Sequence, residues 1–197
     1  MKRHAWLIAL ALAGCVNIDI ETPVKNYYVL NDAGPAACEA APGKAALLID
    51  LLNPAAFYNA PNLAYGRNAE SRGYYQYAQW ADRPTQRVGL LLRDRLRAAC
   101  LYRQVALSGE GMSGDLQLGV KLLDLYHDTA ASPGQARIVL DVHLIRRGTA
   151  GLLAHKTFVA AAPATSHDAG GAAAGFNTAL PKLFDEVGAW LAQQPRN

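Results

Sequence analysis

The strongest constraint on the fold comes from three consecutive segments of strand character in the C-terminal half of the chain. Residues 115–126 alternate between apolar and polar side chains, which is typical of a β-strand with one buried face. Residues 136–145 and 152–160 repeat the strand character, and a turn at residues 146–151 that contains glycine joins them. Adjacent strands with turns between them predict an antiparallel meander.

Two other segments have the periodicity of amphipathic helices. The first has Asp82 as its acidic cap candidate and Pro84 in its first turn. The second has Ser166 and Asp168 as cap candidates. Because Pro181 falls inside its apolar stripe and lacks a backbone donor, we expect a kink or a break there. The apolar positions are Val88, Leu91, Leu92, Leu96 and Ala99 in the first helix and Phe176, Leu180, Leu183, Val187, Trp190 and Leu191 in the second.

The N-terminal half of the chain adds shorter strands. Residues 26–30 are aromatic and β-branched, and residues 44–52 are an apolar run typical of a strand buried on both faces. Residues 31–43 between them have the composition of a loop. Runs of strands with two segregated helices predict a single α+β domain over residues 26–194. We expect a mainly antiparallel sheet with the two longer helices packed on one face.

Composition excludes two broad classes of protein. Hydrophobic residues make up 51% and charged residues 18% of the 197 residues, which is too rich in core-forming residues for an intrinsically disordered chain. The net charge of +3 is too small for an electrostatic nucleic-acid binder. No nucleic-acid partner is therefore expected.

Residues 1–14 have the parts of a secretory signal peptide. A positive head with Lys2 and Arg3 precedes an apolar run at residues 5–13. This run is shorter than the roughly 20 residues that span a bilayer. Residues 11–13 have the small-x-small form that an ordinary signal peptidase accepts, which would release a soluble protein. Residues 12–15 resemble the bacterial lipobox, and this alternative is favoured because it explains Cys15.

A lipobox makes Cys15 the first residue of the mature protein and the site of lipidation. Its acyl chains, palmitate among them, exceed the two signals that stable membrane attachment requires. Residues 15–25 would then be the lipidated N-terminus and a tether. Because Val16 follows in place of an aspartate retention signal, we expect anchoring at the periplasmic face of the outer membrane.

The other two cysteines suit an oxidising compartment. A disulfide between Cys38, in a loop, and Cys100, at the end of the first helix, would close a loop of about 63 residues and contribute ~4 kcal/mol. Two separate buried thiols are the alternative.

The sequence composes no catalytic, cofactor-binding or metal site. HExxH, CxxC and G-x-S-x-G are all absent. His127 beside Asp128 could form an acid-base pair, but adjacent residues on a strand point to opposite faces, which argues against that role. The two residues are therefore interpreted as a surface loop pair. The pair Gly170 and Gly171 could hold a phosphate before a helix, but it is interpreted as a hinge. We therefore expect no enzyme and no cofactor.

An aromatic cluster between residues 57 and 80 is the most informative remaining feature. Its candidates for a partner contact or a structural motif are Tyr74, Tyr75, Tyr77 and Trp80. Aromatic residues at strand spacing usually pack in the core or at an edge, yet interfaces also favour tyrosine and tryptophan. Both interpretations stay open.

The order of these motifs resembles the ABC-type transport auxiliary lipoprotein family, which includes the lipoprotein of the paraquat-inducible system. The likeness covers nearly the whole mature chain. After the lipobox it runs through residues 27–30 (YYVL), 80–84 (WADRP), the Leu91-Leu92 helix, 116–122 (LQLGVKL), 174–180 (AGFNTAL) and the closing Trp190-Leu191.

The resemblance implies a non-enzymatic accessory component of a lipid or organic-solvent transport system between two membranes. Its partners would be an MCE-domain protein and, through it, an inner-membrane ABC permease and ATPase. The lipoprotein would dock onto the MCE assembly as a homo-oligomer. The chain lacks GxxxxGK[ST], so the ATPase must be another subunit. A free-standing periplasmic lipid-binding carrier is the alternative, and it predicts a sizeable apolar cavity.

Overall fold

The structure is a computed structural model that describes residues 24–34, 41–148 and 151–195. These residues form one mixed eight-stranded sheet and two α-helices. The strands are β1 (Asn26–Tyr28), β2 (Ala46–Leu51), β3 (Asn62–Gly66), β4 (Gly73–Trp80), β5 (Gln104–Leu107), β6 (Leu116–Asp128), β7 (Gln135–Arg146) and β8 (Gly151–Pro163). The helices are α1 (Pro84–Ala98) and α2 (Ala169–Ala192), and a short 3-10 helix covers Ala56–Asn59.

The predicted meander forms one side of the sheet, with β8 as its edge strand. β6 pairs antiparallel with β7, and β7 pairs antiparallel with β8, nearly along their whole lengths. Their inward side chains alternate with outward ones, as the period of two predicts. The α+β domain with two helices on a sheet is confirmed.

Short parallel pairings, which the sequence analysis did not anticipate, complete the sheet. β2 lies between β5 and β6 and is parallel to both, in agreement with its apolar run. β3 is parallel to the end of β6 and antiparallel to β4. β1 joins the far side of β4 in parallel. The long ladders are therefore antiparallel, and the short ones at the flanks are mostly parallel.

Both helices cover the same face of the sheet. Gly89 of α1 lies against the side chain of Leu51, and Gly175 of α2 lies so close to β7 that a Cβ would meet the Ala136 methyl group at 2.9 Å. Leu51 and Ala136 belong to the inward-facing set of their strands, which forms one hydrophobic core with the helices. The opposite face, with Asp141 and His143, carries neither helix.

The structure corrects the expected cap of α1 and excludes one of the two alternatives for Pro181, a break in α2. The N-cap of α1 is Arg83 and not Asp82, with no side-chain cap hydrogen bond, because Pro84 at the first helical position restricts the preceding residue to extended backbone. Helix α2 continues through Pro181 without a break. Its flanking side chains, Leu180 and Leu183, are completely buried, so tertiary packing outweighs the lost hydrogen bond.

Within the described residues, neither helix combines the length and apolar character that crossing a membrane requires. The leader and Cys15 lie outside the described residues.

Candidate protein-contact site

An open cleft of about 630 Å³ separates the β1–β4 edge of the sheet from the start of α2. Tyr28 of β1 and Tyr75 and Tyr77 of β4 lie along one side of it, and residues 165–171 lie along the other. We call this feature the tyrosine cleft. It brings two of the four predicted contact residues together with the helix start.

An irregularity in the sheet shapes this cleft. Between Asn62 and Ala64 of β3, the paired residue on β4 jumps from Gln79 to Tyr74. The extra residues of β4 include both of its cleft tyrosines. Such a bulge re-aims side chains at a sheet edge, so these tyrosines are not confined to the regular alternation of a strand.

The other wall is a capped helix start. Asp168 is the N-cap of α2, as predicted, and its Oδ1 accepts hydrogen bonds from Gly171 N at 2.7 Å and from Ser166 Oγ at 2.9 Å. These two bonds hold the pKa of the Asp168 carboxyl below its usual value. Gly170 and Gly171 belong to the first turn of α2 and not to the loop before it, and their interpretation as a hinge stays a prediction. A carboxylate already occupies the place that a phosphate would take.

Tyr75 is tied to the protein interior by its hydroxyl. The His127 imidazole bridges this hydroxyl and the backbone. Its Nδ1 lies 2.7 Å from the Tyr75 hydroxyl oxygen, and its Nε2 lies 2.8 Å from the Pro133 carbonyl oxygen. Because a carbonyl only accepts, Nε2 donates to Pro133 and Nδ1 accepts from Tyr75. Burial lowers the pKa of His127 and raises that of Tyr75 to about 12, so both groups stay neutral. His127 is completely buried, and its interpretation as a surface residue is wrong.

Tyr77 presents a large part of its ring to solvent. It is 44% exposed, and on neighbouring β1 Tyr27 is 64% exposed and is followed by the exposed Val29. The hydroxyls of Tyr77 and Tyr27 have no hydrogen-bond partner within the described part of the chain. We call these three residues the aromatic edge. Exposed tyrosine with an adjacent apolar residue is the composition of a protein interface.

The remaining two predicted contact residues lie elsewhere. Tyr74 stacks on Phe57 with ring centroids 4.2 Å apart and donates a hydrogen bond to the Phe57 carbonyl, away from the cleft. Trp80 is buried and packs edge-on against Phe176 of α2, with centroids 5.3 Å apart. Its position agrees with the structural-motif interpretation.

Asn177, next to Phe176 in α2, forms hydrogen bonds with the backbone of the aromatic edge and of the segment that follows it. Its Oδ1 accepts a hydrogen bond from Asn31 N at 2.9 Å, and its Nδ2 donates to the Val29 carbonyl at 3.2 Å. The segments that carry the family resemblance, around Trp80 and Phe176, are therefore the ones that fasten this edge to α2.

The cysteines are described only in part. Cys100 follows α1 in the left-handed conformation, with φ of 52°, and is disulfide-bonded. Cys38 lies outside the described residues, so its pairing with Cys100 stays a prediction.

A different cluster, which the sequence analysis missed, lies on the face of the sheet without helices. Asp141, His143 and His155 each offer one donor atom, and these atoms all lie within 4.8 Å of one another. Strand register joins them, since His143 and His155 are paired across β7 and β8. Spacing along the chain gives no such signal.

Comparison with known proteins gives a consistent result. A family model described as the ABC-type transport auxiliary lipoprotein component matches residues 28–188. The crystal structure of protein XCC0632 from Xanthomonas campestris is similar with a TM-score of 0.75 and 22% identity, covering 84% of this chain and 94% of that one. A second crystal structure, of an uncharacterized protein, has a TM-score of 0.66 and 12% identity over 85% and 99% of the two chains. No curated protein matches the chain.

The fold and site thus describe a small α+β domain with an exposed aromatic edge and a buried motif that supports it. The chain belongs to the family of ABC-type transport auxiliary lipoprotein components, since the family model covers most of its length. Membership makes it a membrane-anchored lipoprotein associated with an ABC-type transporter. The similar crystal structures support the fold alone.

Proposed function

We propose that the protein is a non-enzymatic docking subunit, lipidated at Cys15 and anchored at the periplasmic face of the outer membrane. It contacts the MCE-domain protein of a system that moves lipid or organic solvent between the membranes, and through it the ABC permease and ATPase of the inner membrane. The observation that carries this proposal is the exposure of the aromatic edge, Tyr27, Val29 and Tyr77, in a chain that belongs to a family of transport auxiliary lipoproteins.

The aromatic edge is suited to binding another protein. β1 has three residues, and among the described residues it pairs with a strand on one side only, which leaves its outer side for a partner strand. Tyrosine rings add contact area at low cost in side-chain entropy. The tyrosine cleft beside it gives a partner side chain a place to insert.

The position of the edge also fits attachment to a membrane. Asn26, where β1 begins, is only 11 positions after Cys15. An extended chain of this length spans at most about 40 Å. A partner that meets the aromatic edge would therefore meet it close to the lipid anchor.

The alternative of a free-standing lipid carrier requires an enclosed apolar cavity. The tyrosine cleft does not supply one, because it is open and is lined partly by polar groups such as Ser166, His167 and Asp168. A homo-oligomer is part of the proposal, with the aromatic edge left free for the partner.

The test is affinity purification of the full-length lipidated protein from detergent-solubilised envelopes, with mass spectrometry of bound proteins and lipids. We expect an MCE-domain protein in the eluate, and expect the double variant Tyr27→Ala/Tyr77→Ala to lose it. Leu152→Ala is the matched control, since Leu152 on β8 is 63% exposed and lies outside the edge. Cys15→Ala should release the protein from the outer membrane.

Phospholipid in the eluate without an MCE-domain protein would contradict docking and support the carrier. Equal recovery of the partner by the double variant and by the control would contradict the assignment of the aromatic edge.

A further inference from the structure

We propose that Asp141, His143 and His155 bind a divalent transition-metal ion, with Zn²⁺ as the probe, on the face of the sheet that carries no helix. Two imidazole nitrogens and one carboxylate oxygen are the donors that Zn²⁺ and its neighbours prefer. Nothing in the proposed docking function requires this site.

Regular strand geometry places the three side chains on one patch. Asp141 and His143 are two residues apart on β7, so they point to the same face. His155 lies directly opposite His143 on β8, and Thr157 lies opposite Asp141. Two of the ligands therefore stand on β7, the middle strand of the meander, and the third stands on β8, so all three are held by strands rather than by loops, which favours a precise site.

The donor atoms already converge. His143 Nε2 lies 2.9 Å from Asp141 Oδ2, and His155 Nε2 lies 2.6 Å from Asp141 Oδ1. The two imidazole rings are edge-to-face with centroids 4.6 Å apart. Donors around a tetrahedral Zn²⁺ with bonds of about 2.0–2.1 Å are roughly 3.3 Å apart. Movements of less than about 1 Å in each hydrogen-bonded pair would admit the ion.

The surroundings leave coordination positions open. Asp141 is 18% exposed at its side chain, and His143 and His155 are 35% and 50% exposed. Three protein ligands with solvent access are the pattern of an open metal site, whose fourth position is taken by water or an external ligand. Gly119, opposite His143 on β6, adds no side chain to the patch.

The nearby charged and polar groups have defined roles. Thr157 Oγ1 donates to Asp141 Oδ1 at 3.0 Å and would orient the carboxylate as a supporting partner. Lys121 lies opposite Asp141 on β6, so its positive charge would oppose metal binding there. Asp50 on β2 is engaged by the side-chain amide of Gln117 at 3.0 Å.

The experiment is calorimetric titration of ZnCl₂ into the full-length protein in detergent, purified without a histidine tag. We expect one ion per chain and a melting temperature that rises with Zn²⁺. His143→Ala and His155→Ala should each weaken binding by at least the roughly 10–100-fold that loss of a supporting contact costs at a metal site. His167→Ala is the matched control and should bind as the unaltered protein does.

Two further variants keep the proposal open to refutation. Asp141→Asn preserves the shape of the side chain and should weaken binding, whereas Lys121→Gln should strengthen it. An unchanged melting temperature with no binding heat would overturn the proposal. Binding that survives His143→Ala/His155→Ala, or that is lost in His167→Ala, would equally overturn it by assigning the ion to another place. Circular dichroism of each variant shows that the fold is intact.

Discussion

The meander and the aromatic edge are two parts of one sheet that are held in different ways. β6, β7 and β8 are long neighbouring strands joined by long antiparallel ladders, each with one irregularity in its register. β1 has three residues and reaches its place beside β4 through a parallel pairing between segments some 50 residues apart. The meander distributes its stability over many contacts, whereas the edge depends on a few anchors. Substitutions at those anchors should therefore have large effects.

Trp80 is the anchor with the largest expected effect. Trp80→Ala removes a buried ring that packs on Phe176, so it leaves a cavity between β4 and α2. We expect the free energy of unfolding to fall by about 3–5 kcal/mol. Urea denaturation followed by circular dichroism measures this change. A loss below about 1 kcal/mol would mean that the edge does not depend on this contact.

Asp32 is the second anchor, because it fastens the segment after β1 to α1. Arg95 Nη2 lies 2.9 Å from Asp32 Oδ1, and both side chains are buried. Burial raises the pKa of the Asp32 carboxyl in spite of the attraction to Arg95, so forming the pair contributes less than breaking it costs. Arg95 also contacts Asp185 and the Pro181 carbonyl, so its guanidinium group keeps partners when Asp32 is replaced, and the expected loss of stability is smaller.

Asp32→Ala should lower the free energy of unfolding by about 2–3 kcal/mol, below the usual cost of leaving a buried charge unpaired. Asp94→Ala is the control, since Asp94 is exposed and pairs with Arg93 at the surface. Asp94→Ala should lower the free energy of unfolding by less than about 1 kcal/mol. Similar values for the two variants in urea denaturation would contradict the role of Asp32 as an anchor.

The difference between the two regions also explains how far sequence reasoning extends. The period of two in residues 115–126 and the helical period after Pro84 are local signals, and the structure confirms both. The parallel pairing of β1 with β4 depends on contacts between distant segments, which no local pattern encodes. The bulge between β3 and β4 likewise has no signature in spacing.

The same limit applies to the candidate sites. Trp80 and Tyr77 belong to one aromatic cluster in the sequence, yet one is buried and the other is 44% exposed. Residues three apart on a strand point to opposite faces, and the packing of Phe176 of α2 against Trp80 decides which face is buried. His127 is hidden by packing around residues 133 and 167. His143 and His155 are twelve residues apart and meet only because β7 and β8 pair in that register.

The N-cap at the start of α2 is the third anchor to test, and its contribution to the free energy of unfolding depends on pH. Asp168→Ala removes the N-cap and should cost about 1 kcal/mol at neutral pH. The pKa of this carboxyl is lowered in the folded state, so its stabilisation is complete above the unfolded value of about 3.9 and is lost as the pH falls through the folded pKa.

Asp168→Asn separates the cap from the charge. Asparagine is a good N-cap, so this variant should retain most of the stability at neutral pH. It should lack the part of the acid dependence that the carboxylate causes. Urea denaturation across pH 3 to 7 measures both effects at once. An unaltered acid dependence in Asp168→Asn would contradict the assigned role of the charge.

Tyr77 has the smallest expected effect on stability, and this makes it the sharpest test of the difference between anchor and surface. The residue is 44% exposed, and its hydroxyl has no partner within the described residues. Tyr77→Ala should therefore change the free energy of unfolding by no more than about 0.5 kcal/mol. Tyr75→Phe, on the same strand, should cost about 1–2 kcal/mol, because it leaves the buried His127 Nδ1 without its donor.

The two variants should rank in the opposite order when the measured quantity is recovery of the MCE-domain protein, with Tyr77→Ala having the larger effect. Tyr77→Ala should reduce it, since the lost ring belongs to the proposed contact surface, whereas Tyr75→Phe keeps its ring in the cleft and should leave it unchanged. If recovery of the MCE-domain protein instead falls in the same order as the free energy of unfolding of the two variants, the aromatic edge is not a contact surface. If the order reverses as expected, the short and weakly paired end of the sheet is the part that the molecule presents to its partner.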